Sequence, residues 1–176
     1  MGLDITAISN IVPMMGDEDL LLDSIGMNTE VFYVHPHFSN KVAEFKDYTE
    51  DNKVSYMTSD TSKVHAFRVG SYSTHNQFKN KISKIMIGVT LETLFDNLDD
   101  YVDHPFFEFL DMSDCNGSIG PNVSKTILKD FIDYRDKFMT NLEENGDTSD
   151  KWMVETYDNW IKSFEYSAQD GILMFQ

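Results

Sequence analysis

Pro121-Asn122-Val123-Ser124-Lys125-Thr126-Ile127-Leu128-Lys129-Asp130-Phe131-Ile132-Asp133-Tyr134-Arg135-Asp136-Lys137-Phe138 carries the strongest periodicity in the chain. Val123, Ile127, Phe131, Tyr134 and Phe138 follow at spacings of 4, 4, 3 and 4, which is one face of a helix. Pro121 stands where a first helical residue belongs, since its missing N–H costs nothing there. The polar stretch from Glu143 to Asp150 closes this pattern. Thr148 or Ser149 then offers a cap for a second helix bearing Met153, Tyr157, Trp160, Ile161 and Phe164. Asp170-Gly171 ends that helix, and Ile172 to Phe175 reads as a returning strand.

Working toward the N-terminus, the period changes. Leu3 to Ser9 alternates in polarity, with Leu3, Ile5 and Ala7 on one face, and predicts a strand. Glu30 to His35 reads as a short strand interrupted at His35-Pro36-His37, and residues 38 to 52 as a short acidic helix. Lys53 to Met57 and Val64 to Val69 are strands that would pair as a hairpin across Thr58 to Ser62. Ser73 caps a helix running to about Met86, with Phe78, Ile82 and Ile85 as its apolar stripe and Lys79 and Lys84 off that stripe. Gly88 stops it, Leu91 to Leu98 adds a turn, and Phe106 to Leu110 is an aromatic strand or buried segment. Strands and helices that do not alternate as βαβ units define the α+β class. The expectation is one domain over residues 1–176: a small mixed or antiparallel sheet with one shorter and two long helices packed on it.

The chain has 14 Lys plus Arg against 30 Asp plus Glu, a formal charge of −16 with His neutral. That charge opposes binding to long nucleic acids and to anionic membrane. No stretch approaches the roughly 20 apolar residues of a membrane-spanning helix, and the N-terminus lacks the basic and apolar regions of a signal peptide. The single Cys115 excludes an intramolecular disulfide and any multi-Cys zinc site, and fits a reducing compartment. Residues 61 to 86 differ from the rest. They contain Lys63, Arg68, Lys79, Lys81 and Lys84 and no Asp or Glu, a basic island in an acidic chain. Such an island is either a solvated helix face or a small anion site.

Two stretches carry candidate chemistry. In Arg68-Val69-Gly70-Ser71-Tyr72-Ser73-Thr74-His75-Asn76-Gln77-Phe78-Lys79, a strand, a glycine, a hydroxyl cluster and a helix start follow one another. Free amides at a helix N-terminus attract anions. Arg68 and Lys79 would neutralise phosphate, Ser71 and Ser73 would hydrogen-bond it, and Tyr72 would stack on a base. His75 and Asn76 complete the set; an ordinary capped helix is the competing reading. The spacing is not that of a Walker loop. The second stretch, Ser113-Asp114-Cys115-Asn116-Gly117-Ser118-Ile119-Gly120-Pro121, also leads into a helix. Asp114 and Asn116 would fix a ribose or base edge, or simply shape the turn. A calcium loop with Gly117 as its sixth position would need acidic ligands at Met112 and Val123, so that reading fails. A nucleophilic Cys115, a metal site at His35 and His37, and a lipid on Gly2 are minor alternatives. No metal and no cofactor is expected.

Gly2-Leu3-Asp4-Ile5-Thr6-Ala7, Gly70-Ser71-Tyr72-Ser73 and Ser113-Asp114-Cys115-x-Gly117-x-Ile119-Gly120-Pro121 together resemble small proteins encoded by phages and prophages. The resemblance implies a protein made in bacterial cytoplasm. Small phage proteins in that setting include sponges that sequester nucleotide signals of antiphage defence, such as cyclic ADP-ribose relatives or cyclic dinucleotides, and sponges tend to be oligomers. By that analogy the leading expectation is a homo-oligomeric binding protein that holds a small phosphate-bearing nucleotide between the 68–79 and 113–121 segments without turning it over. The alternatives are an enzyme degrading such a nucleotide, with His75 as general acid/base, and an acidic interaction protein that occupies a host factor.

Overall fold

The computed structural model describes residues 2–13, 30–33, 55–58, 63–112, 117–145 and 151–175. It is an α+β protein. Strands β1 (Leu3–Ile8), β5 (Val64–Gly70), β6 (Ser118–Ile119) and β7 (Ile172–Phe175) form an antiparallel sheet in the order β5-β1-β7-β6. Strands β2 (Val12–Pro13), β3 (Glu30–Tyr33) and β4 (Ser55–Thr58) form a second antiparallel sheet, β2-β4-β3. Among the described residues six α-helices follow β5: α1 (Tyr72–Met86), α2 (Leu91–Asp96), α3 (Phe107–Asp111), α4 (Pro121–Asp133), α5 (Arg135–Glu144) and α6 (Lys151–Ser167).

β1 is central because it pairs with β5 on one side and β7 on the other, and its alternation turns one face to the core. Leu3, Ile5 and Ala7 are fully buried while Asp4 and Thr6 stay half-buried on the other face. Ile5 pairs with Phe67 on one side and with Phe175 on the other. The buried side of the sheet meets the aromatic stripe of α6. Trp160 packs against Phe67 at 5.4 Å, Phe109 at 5.1 Å and Phe164 at 5.5 Å between ring centroids. Each such ring, taken out of water, stabilises by about 1.5–3 kcal/mol. At the far end of the sheet Ile8, Ile172 and Tyr56 form a small second cluster, which ties the two sheets together.

Glycine is required where α6 turns into β7. A Cβ on Gly171 would overlap the Ile8 carbonyl oxygen and crowd that of Tyr166. Asp170 before it adopts φ 46°, the left-handed conformation that Asp tolerates better than most residues.

The hairpin expected between Lys53–Met57 and Val64–Val69 does not form. β4 lies between β2 and β3, whereas β5 joins β1. Pairing with β1 sends Phe67 and Val69 to the same face as Ile5, against Trp160, and burial outweighs proximity in sequence. The single helix expected from Val123 to Phe138 breaks at Tyr134 (φ −105°, ψ 8°) into α4 and α5. Phe131 and Phe138 lie about 10.5 Å apart along a straight helix, yet both pack on Tyr157, at 4.7 and 4.6 Å. The bend brings both rings onto one partner. The segment Phe106 to Leu110 is buried, but α3 covers most of it and no strand does. Phe106 takes φ 66°, and its N–H donates to Asp130 Oδ2 at 2.7 Å. The expected acidic helix at 38–52 and the Thr148/Ser149 cap lie outside the described residues.

Candidate functional site

The first candidate stretch forms a corner at one end of the main sheet. β5 ends at Gly70, with φ 116° and the Thr74 side chain close beside it. Ser71, and not Ser73, caps α1. Its Oγ accepts the Thr74 N–H at 3.1 Å and lies 2.9 Å from Thr74 Oγ1. Tyr72 packs half-buried against the core, while Ser73 and Asn76 on the first turns are exposed.

Arg68 lies on the exposed side of β5. Its guanidinium crosses Gly2, where any Cβ would overlap it, and its Nε sits 3.9 Å from Asp4 Oδ1. The Arg68 side chain is 63% exposed. That pairing is long and solvated, so it holds the side chain only weakly.

His75 and Lys79 point the other way. His75 is 0% exposed, with Trp160 at 5.6 Å and Phe109 at 6.2 Å. Lys79 is 2% exposed and its Nζ donates to the Met112 carbonyl at 2.8 Å. Neither group reaches solvent at the corner, so the expected roles of Lys79 on phosphate and of His75 as an acid or base have no surface access. The stripe of α1 that faces inward is His75, Phe78, Lys79, Ile82, Ser83 and Met86. The spacing 75-78-79-82-86 is helical, and read without regard to polarity it would have found both residues. The basic island is correspondingly smaller at the surface.

Asp114 and Asn116, with Ser113 and Cys115, lie outside the described residues, as do His35 and His37. Their flanks are described. Met112 is held by Lys79, and the Gly117 carbonyl accepts from Phe175 N–H at 3.4 Å. The strand directions then fix a relation that the sequence does not contain. Leu3 pairs with Gly70, Ile5 with Phe175, and Ser118 with Met174. The end of β5, the start of β1, the end of β7 and the start of β6 therefore share one end of the sheet. The 68–71 corner and the 117 flank stand at opposite edges of that end, three strand spacings or about 14 Å apart. The Lys79–Met112 bond brings α1 toward the second segment from the helix side.

Elsewhere the titratable groups serve packing. His65 on β5 stacks at 5.8 Å on Phe67 and lies 6.0 Å from Tyr166. Burial first, and the nearby Lys162 second, lower its pKa below the ordinary 6.5. Burial raises the Asp130 carboxyl above the usual range, against the Phe106 N–H that favours its ionised form. Burial also pushes the Tyr157 phenol up, and its O–H donates to the Phe131 carbonyl at 2.7 Å. Among the described residues no group of three or more His, Cys, Asp or Glu is placed to hold a metal ion, and no helix is long and apolar enough to cross a membrane.

Comparison with protein-family models, with curated proteins and with solved structures gives no match.

Proposed function

We propose that the protein binds a small phosphate-bearing nucleotide, without turnover, at the sheet end formed by the 68–76 corner. The observation that carries this reading is Arg68, a guanidinium 63% exposed on the acid-poor strand that leads into the first turn of α1. Ser73 and Asn76 would add hydrogen bonds from that turn, and Tyr72 an edge for a base. The described flank at Gly117 stands about 14 Å away at the opposite edge of the same sheet end, a span suited to a dinucleotide-sized ligand. His75, buried among rings, takes no part, which favours sequestration over degradation. On the resemblance noted above, the ligand would be an immune signal held away from a bacterial defence receptor.

The test is to incubate the protein with candidate cyclic nucleotides, follow the thermal shift, then heat-release and identify the small molecule. Intact nucleotide recovered from the wild type, and no shift in Arg68→Ala/Asn76→Ala, is the expected result. Chemically altered nucleotide would replace binding by catalysis. A shift unchanged in that double variant would reject the site.

A second reading rests on the segment after α1. Phe95 and Val102 are 46% and 50% exposed, and Asp96, Asp99, Asp100 and Asp103 surround them in sequence. An acidic surface with two exposed apolar groups fits an interaction protein that occupies a basic partner. Phe95→Ser/Asp99→Asn/Asp100→Asn would then abolish capture of that partner, while Arg68→Ala would not.

A further inference from the structure

We propose that two copies of this chain pair along the outer edge of β5, antiparallel about a two-fold axis at Ala66, joining their four-stranded sheets into one. The inference is independent of any ligand. It begins with the order β5-β1-β7-β6, which leaves β5 at an edge, and no strand among the described residues pairs with its outer side. At seven residues β5 is the longest strand described, and an edge of that length presents a row of backbone donors and acceptors.

The hydrogen-bonding phase follows from one bond. Ser9 N–H donates to the Lys63 carbonyl at 3.0 Å, and the register continues through Ala7↔His65 and Ile5↔Phe67. Odd-numbered residues of β5 therefore turn their backbone groups toward β1. Val64, Ala66 and Arg68 turn theirs away from the sheet. Ala66 and Arg68 are exposed, and Val64 is half-buried. A strand that presents groups at 64, 66 and 68 matches itself in the reverse direction. Ala66 would exchange two bonds with Ala66 of the second copy, and Val64 with Arg68, about six bonds in all. The residue on the axis is alanine, so the pair that meets itself has no bulk to clash.

Charge selects the same edge. Each copy carries −16, so most surfaces of two copies repel. Residues 61 to 86 contain no Asp or Glu, and on β5 the exposed cation Arg68 already faces Asp4 at 3.9 Å. The edge is close to neutral and is the place where two acidic molecules meet at least cost. An exposed charge commonly blunts an edge strand, but the register about Ala66 sets Arg68 opposite Val64 of the second copy and not opposite a second cation. Self-pairing also predicts a salt response opposite to that of a salt-bridged dimer. Screening the net charge tightens it.

Sedimentation and native mass spectrometry of the full chain test the proposal. The expected result is a dimer whose affinity rises from low to physiological salt. Ala66→Pro removes the central outward N–H, and Ala66→Asp sets two carboxylates against each other. Each is expected to weaken the dimer at least about tenfold. On the unmodified chain, amide exchange at Val64, Ala66 and Arg68 slows as protein concentration rises, which needs no variant to fold. A monomer at every concentration and salt overturns the proposal. So does a dimer that persists in Ala66→Asp, or one whose formation leaves those three amides unprotected.

Discussion

The two flanks of α1 carry similar residue types and have opposite fates. On one flank His75, Lys79 and Ser83 are buried among Phe78, Ile82 and Met86; on the other Ser73, Asn76 and Lys84 face water. Lys79 and Lys84 differ by five residues, which rotates them to opposite sides of the helix. The difference teaches that a basic residue in an acidic chain is not thereby a ligand contact. Lys79 works inside, where its ammonium fixes the carbonyl that ends α3, and the exposed flank is left to meet partners.

Substitutions along the helix probe this contrast, and the largest effect belongs to the ring at its centre. Phe78→Ala is expected to lower unfolding free energy by about 3–5 kcal/mol, read from the urea midpoint, because it opens a cavity beside Phe109, Phe138 and Tyr157. Lys79→Ala should cost about 2–4 kcal/mol, since it removes the stem and orphans the Met112 carbonyl. Lys84→Ala, by contrast, should stay within about 0.5 kcal/mol. Equal losses at 79 and 84 would erase the distinction between the flanks.

His65 extends the comparison to the neighbouring strand and to pH. Its folded-state pKa is depressed, so the folded protein binds this proton less readily than the unfolded chain. The stability it contributes is complete above about pH 6.5 and is lost as pH falls through the lower folded value. His65→Phe is expected to flatten the stability profile on the acid side of neutrality, measured by melting temperature against pH. Asp130 acts with the opposite sign. Its raised pKa makes ionisation a penalty above that value, relieved on acidification, so Asp130→Asn should shallow the loss of stability toward neutral pH. The smallest expected change is at Arg68→Ala. Its solvated pair with Asp4 contributes little, and melting should shift by no more than about 1–2 °C. A large shift there would mean that the guanidinium holds β1 to β5 and is not free to serve a ligand.

Much of this architecture is legible in the residues. The alternation of Leu3, Ile5 and Ala7 announces β1, the aromatic stripe of Tyr157, Trp160 and Phe164 announces α6, and Asp170-Gly171 marks the turn into β7. These signals are local, because a strand or helix that must bury one face writes its own period into the chain. The candidate site is legible only in part. Gly70 and Ser71 do form the corner before α1, but the direction in which Lys79 and His75 point depends on what lies across from them. That is Phe109, Trp160 and Met112, none of them near in sequence.

The chain alone set the class of fold, the strand near its N-terminus, the acidic balance and the acid-poor stretch from 61 to 86. Tertiary structure decided the rest: that β5 pairs with β1 and leaves an edge, that one long helix bends at Tyr134, and that one lysine of the basic island lies inside. The reason is the range of the forces. Periodicity and capping act over a few residues, whereas burial of a ring or an ammonium is fixed by groups that meet only after the chain has closed on itself.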